Sequence, residues 1–137
     1  MALLLALPAC NAEPTPVTSP TPTVRLAAVP GRPASAYFDL PASDRDDVLL
    51  SVASPQAGRV EMHESMMTGN MSSMRPLDRV PLRAGEPLSF APGGRHLMLY
   101  DLAPSVRPGG QILLVLHFRN APPRTLAAVV ESAGGPE

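Results

Sequence analysis

Within 137 residues there is no tryptophan, no lysine and a single cysteine, Cys10. Aromatic residues make up only 4% of the chain, so Val, Leu and Ala must supply most of any core. All eleven cationic side chains are Arg, and twelve carboxylates bring the net charge to −1. That balance excludes the basic face of a nucleic-acid-binding domain and the polybasic patch of a peripheral membrane protein. After the first ten residues there is no run of about twenty apolar residues, so nothing further in the chain is long enough to span a bilayer as a helix. Long helices of any kind are excluded by the eighteen prolines spread along the sequence, because each removes a backbone donor and interrupts the helical ladder.

What is present divides the chain into three parts. Residues 1–10, MALLLALPAC, are an apolar run closing on Leu7-Pro8-Ala9-Cys10. This resembles the end of a bacterial lipoprotein signal, with Cys10 as the residue that carries the lipid. Residues 11–22, NAEPTPVTSPTP, are rich in Pro, Thr and Ser and read as a semi-extended linker holding a domain off its anchor. Residues 23–134 then have room for one domain. Here short apolar runs alternate with Pro- and Gly-bearing turns, at 23–29, 34–40, 47–54, 59–65, 74–82, 87–92, 95–102, 111–120 and 124–132. Eight to nine short strands with a turn every ten residues or so predict an all-β fold, a Greek-key β-sandwich or barrel. The run Ile112–Phe118 is apolar at nearly every position and reads as a central strand buried on both faces. Residues 74–82, interrupted by Pro76 and Pro81, read as an edge segment.

Sulfur is distributed unevenly. Five of the seven methionines lie in residues 62–74, MHESMMTGNMSSM. His63, Met67, Met71 and Met74 fall at helical spacing, and a methionine stripe of that kind is usually core. Thr68, Gly69, Asn70, Ser72 and Ser73 are poor helix formers, however, and Gly69-Asn70 is a turn signal, so a loop is the better reading. Methionines in a polar loop invite a search for partners. His96 and Met98 are two apart in a predicted strand and share a face, and His63 points away from the side of Val60 and Met62. Two strands thus offer ligands on the non-core side, with the methionine segment folded across them. Two imidazoles and two thioethers form a neutral, soft donor set that suits Cu(I). Zinc sites draw on Cys, His and carboxylates, and a blue-copper centre needs a Cys thiolate, which nothing after Cys10 can supply. Asp44, Asp46 and Asp47 read as a charged turn rather than a cation site. His117, on the central strand, reads as structural or partly exposed. No Ser/His/Asp set, carboxylate pair or phosphate-cradling Gly loop is present, and an enzyme is not expected.

The four candidate ligands are spaced His-x10-Met-x21-His-x-Met, from His63 through Met74 and His96 to Met98. With Glu61-Met62-His63-Glu64, Met74-Arg75-Pro76 and Pro92-Gly93-Gly94-Arg95-His96-Leu97-Met98-Leu99 around them, they resemble the signature of the periplasmic copper chaperone family PCuAC. The resemblance covers roughly residues 23–132. It implies a cupredoxin-like β-sandwich that holds one Cu(I) per chain through His63, Met74, His96 and Met98. It also implies a periplasmic protein that donates copper to an accepting protein, and the signal-like N-terminus would tie it to the membrane only through a lipid at Cys10. That acceptor would be a cytochrome c oxidase subunit, at its dinuclear copper site, or another copper chaperone. A periplasmic scavenging or resistance protein that stores copper is the alternative. Met66, Met67 and Met71 are left with two readings, a soft surface for ligand exchange or a lid over the site.

Overall fold

The computed structural model describes residues 21–134, so the Cys10 signal and nearly all of the linker lie outside the described residues. Every regular element among the described residues is a strand: β1 (Thr23–Arg25), β2 (Ala34–Leu40), β3 (Asp47–Ala53), β4 (Ala57–Thr68), β5 (Met71–Leu77), β6 (Val80–Leu82), β7 (Leu88–Phe90), β8 (Arg95–Leu102), β9 (Gln111–Phe118) and β10 (Arg124–Glu131). The strands pair in the order β5-β4-β8-β2-β1-β10-β9-β3-β6, with β7 added on β2. All pairs are antiparallel except β1 with β10.

The two free edges of this path, β5 and β6, are consecutive in sequence and separated only by Asp78 and Arg79. Three peptide units reach no more than roughly 11 Å, so the sheet must roll until its edges nearly meet without pairing. Residues 74–82 are therefore two strands rather than one segment. Each is an edge, which is where Pro76 and Pro81 cost no ladder hydrogen bond to a second neighbour.

Rolling gives the sheet one inner face, and alternation fills it. Ala34, Ala36, Phe38 and Leu40 of β2 are buried at every second position. Leu97 and Leu99 of β8 and Ile112, Leu114 and Leu116 of β9 join them, each at most 1% exposed. Phe38 and Phe90 stack across the β2–β7 pair with ring centroids 4.6 Å apart, a contact worth about 1 kcal/mol beyond the area it buries. The expectation that 112–118 is buried on both faces fails. Leu113 is 39% exposed and His117 is half-buried on the outer side opposite Ser51, because no second layer covers the outside of a rolled sheet.

The acidic turn before β3 works on backbone amides. Asp46 Oδ1 accepts from the Ala84 N–H at 2.7 Å. Asp47 accepts from Val48, Asn120 and Ala121 at 2.8, 3.0 and 2.9 Å, tying the β9–β10 connection to the start of β3.

Candidate metal centre

The methionine-rich stretch is neither helix nor loop. It forms the end of β4, a turn, and the start of β5, a hairpin in which Thr68 pairs with Met71. Gly69 has φ +62 at the first central position, the place a type II′ turn reserves for glycine. Thr and Ser, weak in helices, are tolerated in a ladder, and the turn signal at Gly69-Asn70 marks the hairpin tip. Met74 therefore does not fold across the sheet on a loop. It is fixed by register on the edge strand.

That register brings the four candidate ligands together on β5, β4 and β8, three adjacent strands. Met62 pairs with Leu97, and both are buried in the core. Their neighbours in the ladder must then face outward. His63 lies directly opposite His96, Glu61 opposite Met98, and Ser65 opposite Met74. His63, His96, Met98 and Met74 accordingly share the outer face, as parity along each strand requires. The two imidazole rings are 5.8 Å apart, centroid to centroid. Exposure rises from the sheet interior to its edge: His96 is 5% exposed, the His63 side chain 15%, and Met74 58%. The patch opens towards β5.

Both rings are oriented by bonds from one nitrogen, which frees the other. The turn Ala91-Pro92-Gly93-Gly94 closes with the Gly94 N–H on the Ala91 carbonyl at 3.0 Å, and Gly93 has φ +83, the left-handed position of a type II turn. It presents the Gly94 carbonyl, which accepts from the Ser65 N–H at 3.0 Å and from His96 Nδ1 at 3.2 Å. His96 Nδ1 thus carries the proton, and Nε2 keeps its lone pair. At His63 the arrangement is reversed. Nε2 donates to Glu61 Oε2 at 2.9 Å, while Arg59 Nε holds Oε1 of the same carboxylate at 3.1 Å. The bond from His63 keeps the Glu61 carboxyl below the usual carboxylate range despite opposing burial, with help from Arg59 and Tyr100. His63 Nδ1 is left buried with no hydrogen-bond partner. A buried acceptor without a partner costs about 1–3 kcal/mol, and a metal ion is one partner that would remove the cost. The Ser35 hydroxyl lies 3.8 Å from Met98 Sδ and directs a weak bond to it.

What gathers here is two imidazole nitrogens and two thioethers. Among the described residues, no group of three or more His, Cys, Asp or Glu is placed to hold a metal, so no oxygen-rich or thiolate site competes with this one. A groove of about 360 Å³ lies elsewhere, between Leu40, Leu82, Leu88, Phe118 and Pro122, and includes none of the four. His117 is on β9, four places along the sheet from β8. Sequence reasoning singled out the four side chains but not the groups that orient them. Glu61, Arg59 and the Gly94 carbonyl act through bonds that depend on rotamer and turn geometry.

An open, rolled, cupredoxin-like β domain with a soft donor patch on three neighbouring strands is the class these features define. The chain belongs to the family described as "Putative lipoprotein LpqE-like", whose model matches residues 17–130. It is similar to "Putative lipoprotein Lxx21020" of Leifsonia xyli subsp. xyli, with 28% identity over 91 residues, 64% of this chain and 54% of that protein. The chain spans about half the length of the curated relatives it matches. Among solved structures it resembles the copper-bound PCuAC domain from PmoF2, with 26% identity, a TM-score of 0.65, and coverage of 81% of this chain and 88% of that one. It also resembles CuI-DR1885 from Deinococcus radiodurans, with 28% identity, a TM-score of 0.63, and coverage of 89% and 83%.

Proposed function

We propose that this chain carries one Cu(I) ion, held by His63 Nδ1, His96 Nε2, Met74 Sδ and Met98 Sδ, and passes it to a copper-accepting protein. The observation that carries this reading is the buried lone pair of His63 Nδ1, left without a partner in a patch whose other donors are an imidazole and two thioethers. The likeness to a copper-bound PCuAC domain and to CuI-DR1885 supports it. All four donors are neutral, so the site keeps the single positive charge of the ion, and thioethers prefer Cu(I) over harder cations. No thiolate locks the metal in. A site built this way holds copper and yields it to an acceptor with stronger donors. Copper is the cargo, and no bond of a substrate is made or broken, so the role is delivery rather than catalysis. Membership of a lipoprotein-like family supports a position outside the cytoplasm, with Cys10 as the anchor. The periplasm and the dinuclear copper site of cytochrome c oxidase are the proposed place and destination.

An anaerobic competition titration against a Cu(I) chelator tests the reading. The parent chain is expected to take up one equivalent, and the double variant Met74→Leu/Met98→Leu very little. Equal uptake by the two would remove the thioethers from the site.

A further inference from the structure

The proposed inner site uses one of the four exposed methionines among the described residues. Met66, Met67, Met71 and Met74 are 40%, 70%, 75% and 58% exposed, an unusual amount of apolar sulfur to leave in water. Their setting is a two-stranded arm. The β4–β8 ladder ends where Glu64 pairs with Arg95, and the last bond to that side is from the Ser65 N–H to the Gly94 carbonyl. Beyond it, β4 and β5 have only each other.

Register sorts the arm's methionines by face. Met66 lies opposite Ser73, and Met71 opposite Thr68. Both alternate with Met62 and Glu64 and stand on the side away from the ligands. Met67 lies opposite Ser72, two residues beyond Ser65, and Ser65 faces Met74. Met67 is therefore on the ligand face and diagonal to Met74. Diagonal neighbours of a ladder are about 7–8 Å apart, within reach of long side chains. With three rotatable bonds, methionine can close that gap. The sequence of donors from interior to tip is His96, His63, Met74, Met67, and exposure rises along it from 5% to 70%.

We propose that Met67 and Met74 form a second, outer Cu(I) position through which the ion leaves the inner four-donor site. This rests on the copper reading of the inner site. The step is a ligand exchange. Met67 Sδ donates a lone pair to Cu(I) as the bond from His63 Nδ1 breaks, and the bonds from His96 Nε2 and Met98 Sδ break as the ion moves outward. The copper stays +1, no electron or proton moves, and the imidazole is released neutral with its Nε2–H still on Glu61. Met74 remains bound in both positions, so the ion is never free.

The test is transfer of Cu(I) from the loaded full chain to an excess of a water-soluble Cu(I) chelator under anaerobic conditions. Three chains are compared: the parent, Met67→Leu, and the double variant Met66→Leu/Met71→Leu. Leucine keeps the apolar bulk and removes the sulfur. Met67→Leu is expected to slow transfer by about tenfold, equivalent to about 1.4 kcal/mol in the barrier, while the affinity for the first equivalent holds. The double variant is expected to transfer at the parent rate. In a titration followed by methionine methyl resonances, Met74 and Met98 should shift with the first equivalent, and Met67 next, ahead of Met66 and Met71. Parent-like transfer by Met67→Leu, or equal slowing by the double variant, would overturn the outer position. A parent chain that takes up no Cu(I) would instead overturn the reading of the inner site.

Discussion

At the scale of single residues, the chemistry of the patch turns on which nitrogen of His63 carries its proton, and Glu61 decides that. Its carboxylate can only accept, so it draws the proton to Nε2 and leaves Nδ1 free. Replacement by Gln keeps the shape and changes the logic. Arg59 can only donate, so the amide oxygen of a Gln would turn to it, and the amide NH2 would face His63. Nε2 must then accept, which moves the proton to Nδ1 and blocks the buried lone pair proposed to bind copper. Glu61→Gln is expected to lower Cu(I) affinity by about 10- to 100-fold, the usual cost of losing a partner that orients a ligating histidine, with the fold and melting temperature little changed. Imidazole 15N shifts would report the tautomer directly. A Glu61→Gln variant with parent affinity and an unprotonated Nδ1 would sink this account.

At the scale of elements, Asp47 joins two pieces of backbone, the start of β3 and the β9–β10 connection, at one point. Burial tends to raise its pKa, but the N–H groups of Val48, Ala121 and Asn120 outweigh that and hold the carboxyl below its ordinary range. A folded-state pKa below the unfolded one contributes stability above the ordinary carboxylate range. The contribution is lost as pH falls through the depressed value. Thermal melts between about pH 7 and about pH 3 should therefore show a steeper acid loss for the parent than for Asp47→Asn, which starts less stable and has no charge to titrate. Identical slopes would mean that the clamp contributes nothing. Asp47 also shows how far the sequence could be read. A charged turn was legible, but two of its three amide partners, Asn120 and Ala121, lie more than seventy residues away, which no local pattern encodes. The alternation of β4 and β8 was legible because one buried face imposes a period of two. The hairpin at 62–74 was not. Its Ser, Thr and Asn favour neither regular state strongly, and its pairing is settled by register with β8 and by one glycine. His63, His96 and Met98 were legible because strand parity translates spacing into a shared face, and Met74 only through the spacing that resembles a known family's. Their hydrogen-bond supports were not, because tautomers and carbonyl directions leave no trace in residue order.

At the scale of the whole molecule, the core and the donor patch occupy opposite faces of the same strands. Leu97 and Leu99 point in while His96 and Met98 point out, so the fold does not depend on metal, in contrast to domains whose ligands replace a core. What copper would add is a connection. The edge strand β5 pairs only with β4, and an ion shared by Met74, His63, His96 and Met98 would tie β5 across β4 to β8. A ligand that binds only the folded state stabilises it by about 2.7 kcal/mol at one hundred times its Kd, and here part of that gain should be local. Adding Cu(I) under anaerobic conditions is expected to raise the melting temperature and to slow hydrogen exchange at β5 amides more than at β9 or β10. Met74→Leu should lose the β5 protection while keeping some of the rise in melting temperature from the three remaining donors. A chain that gains thermal stability with Cu(I) but shows no added protection in β5 would have its metal elsewhere, and Met74 would not be a ligand.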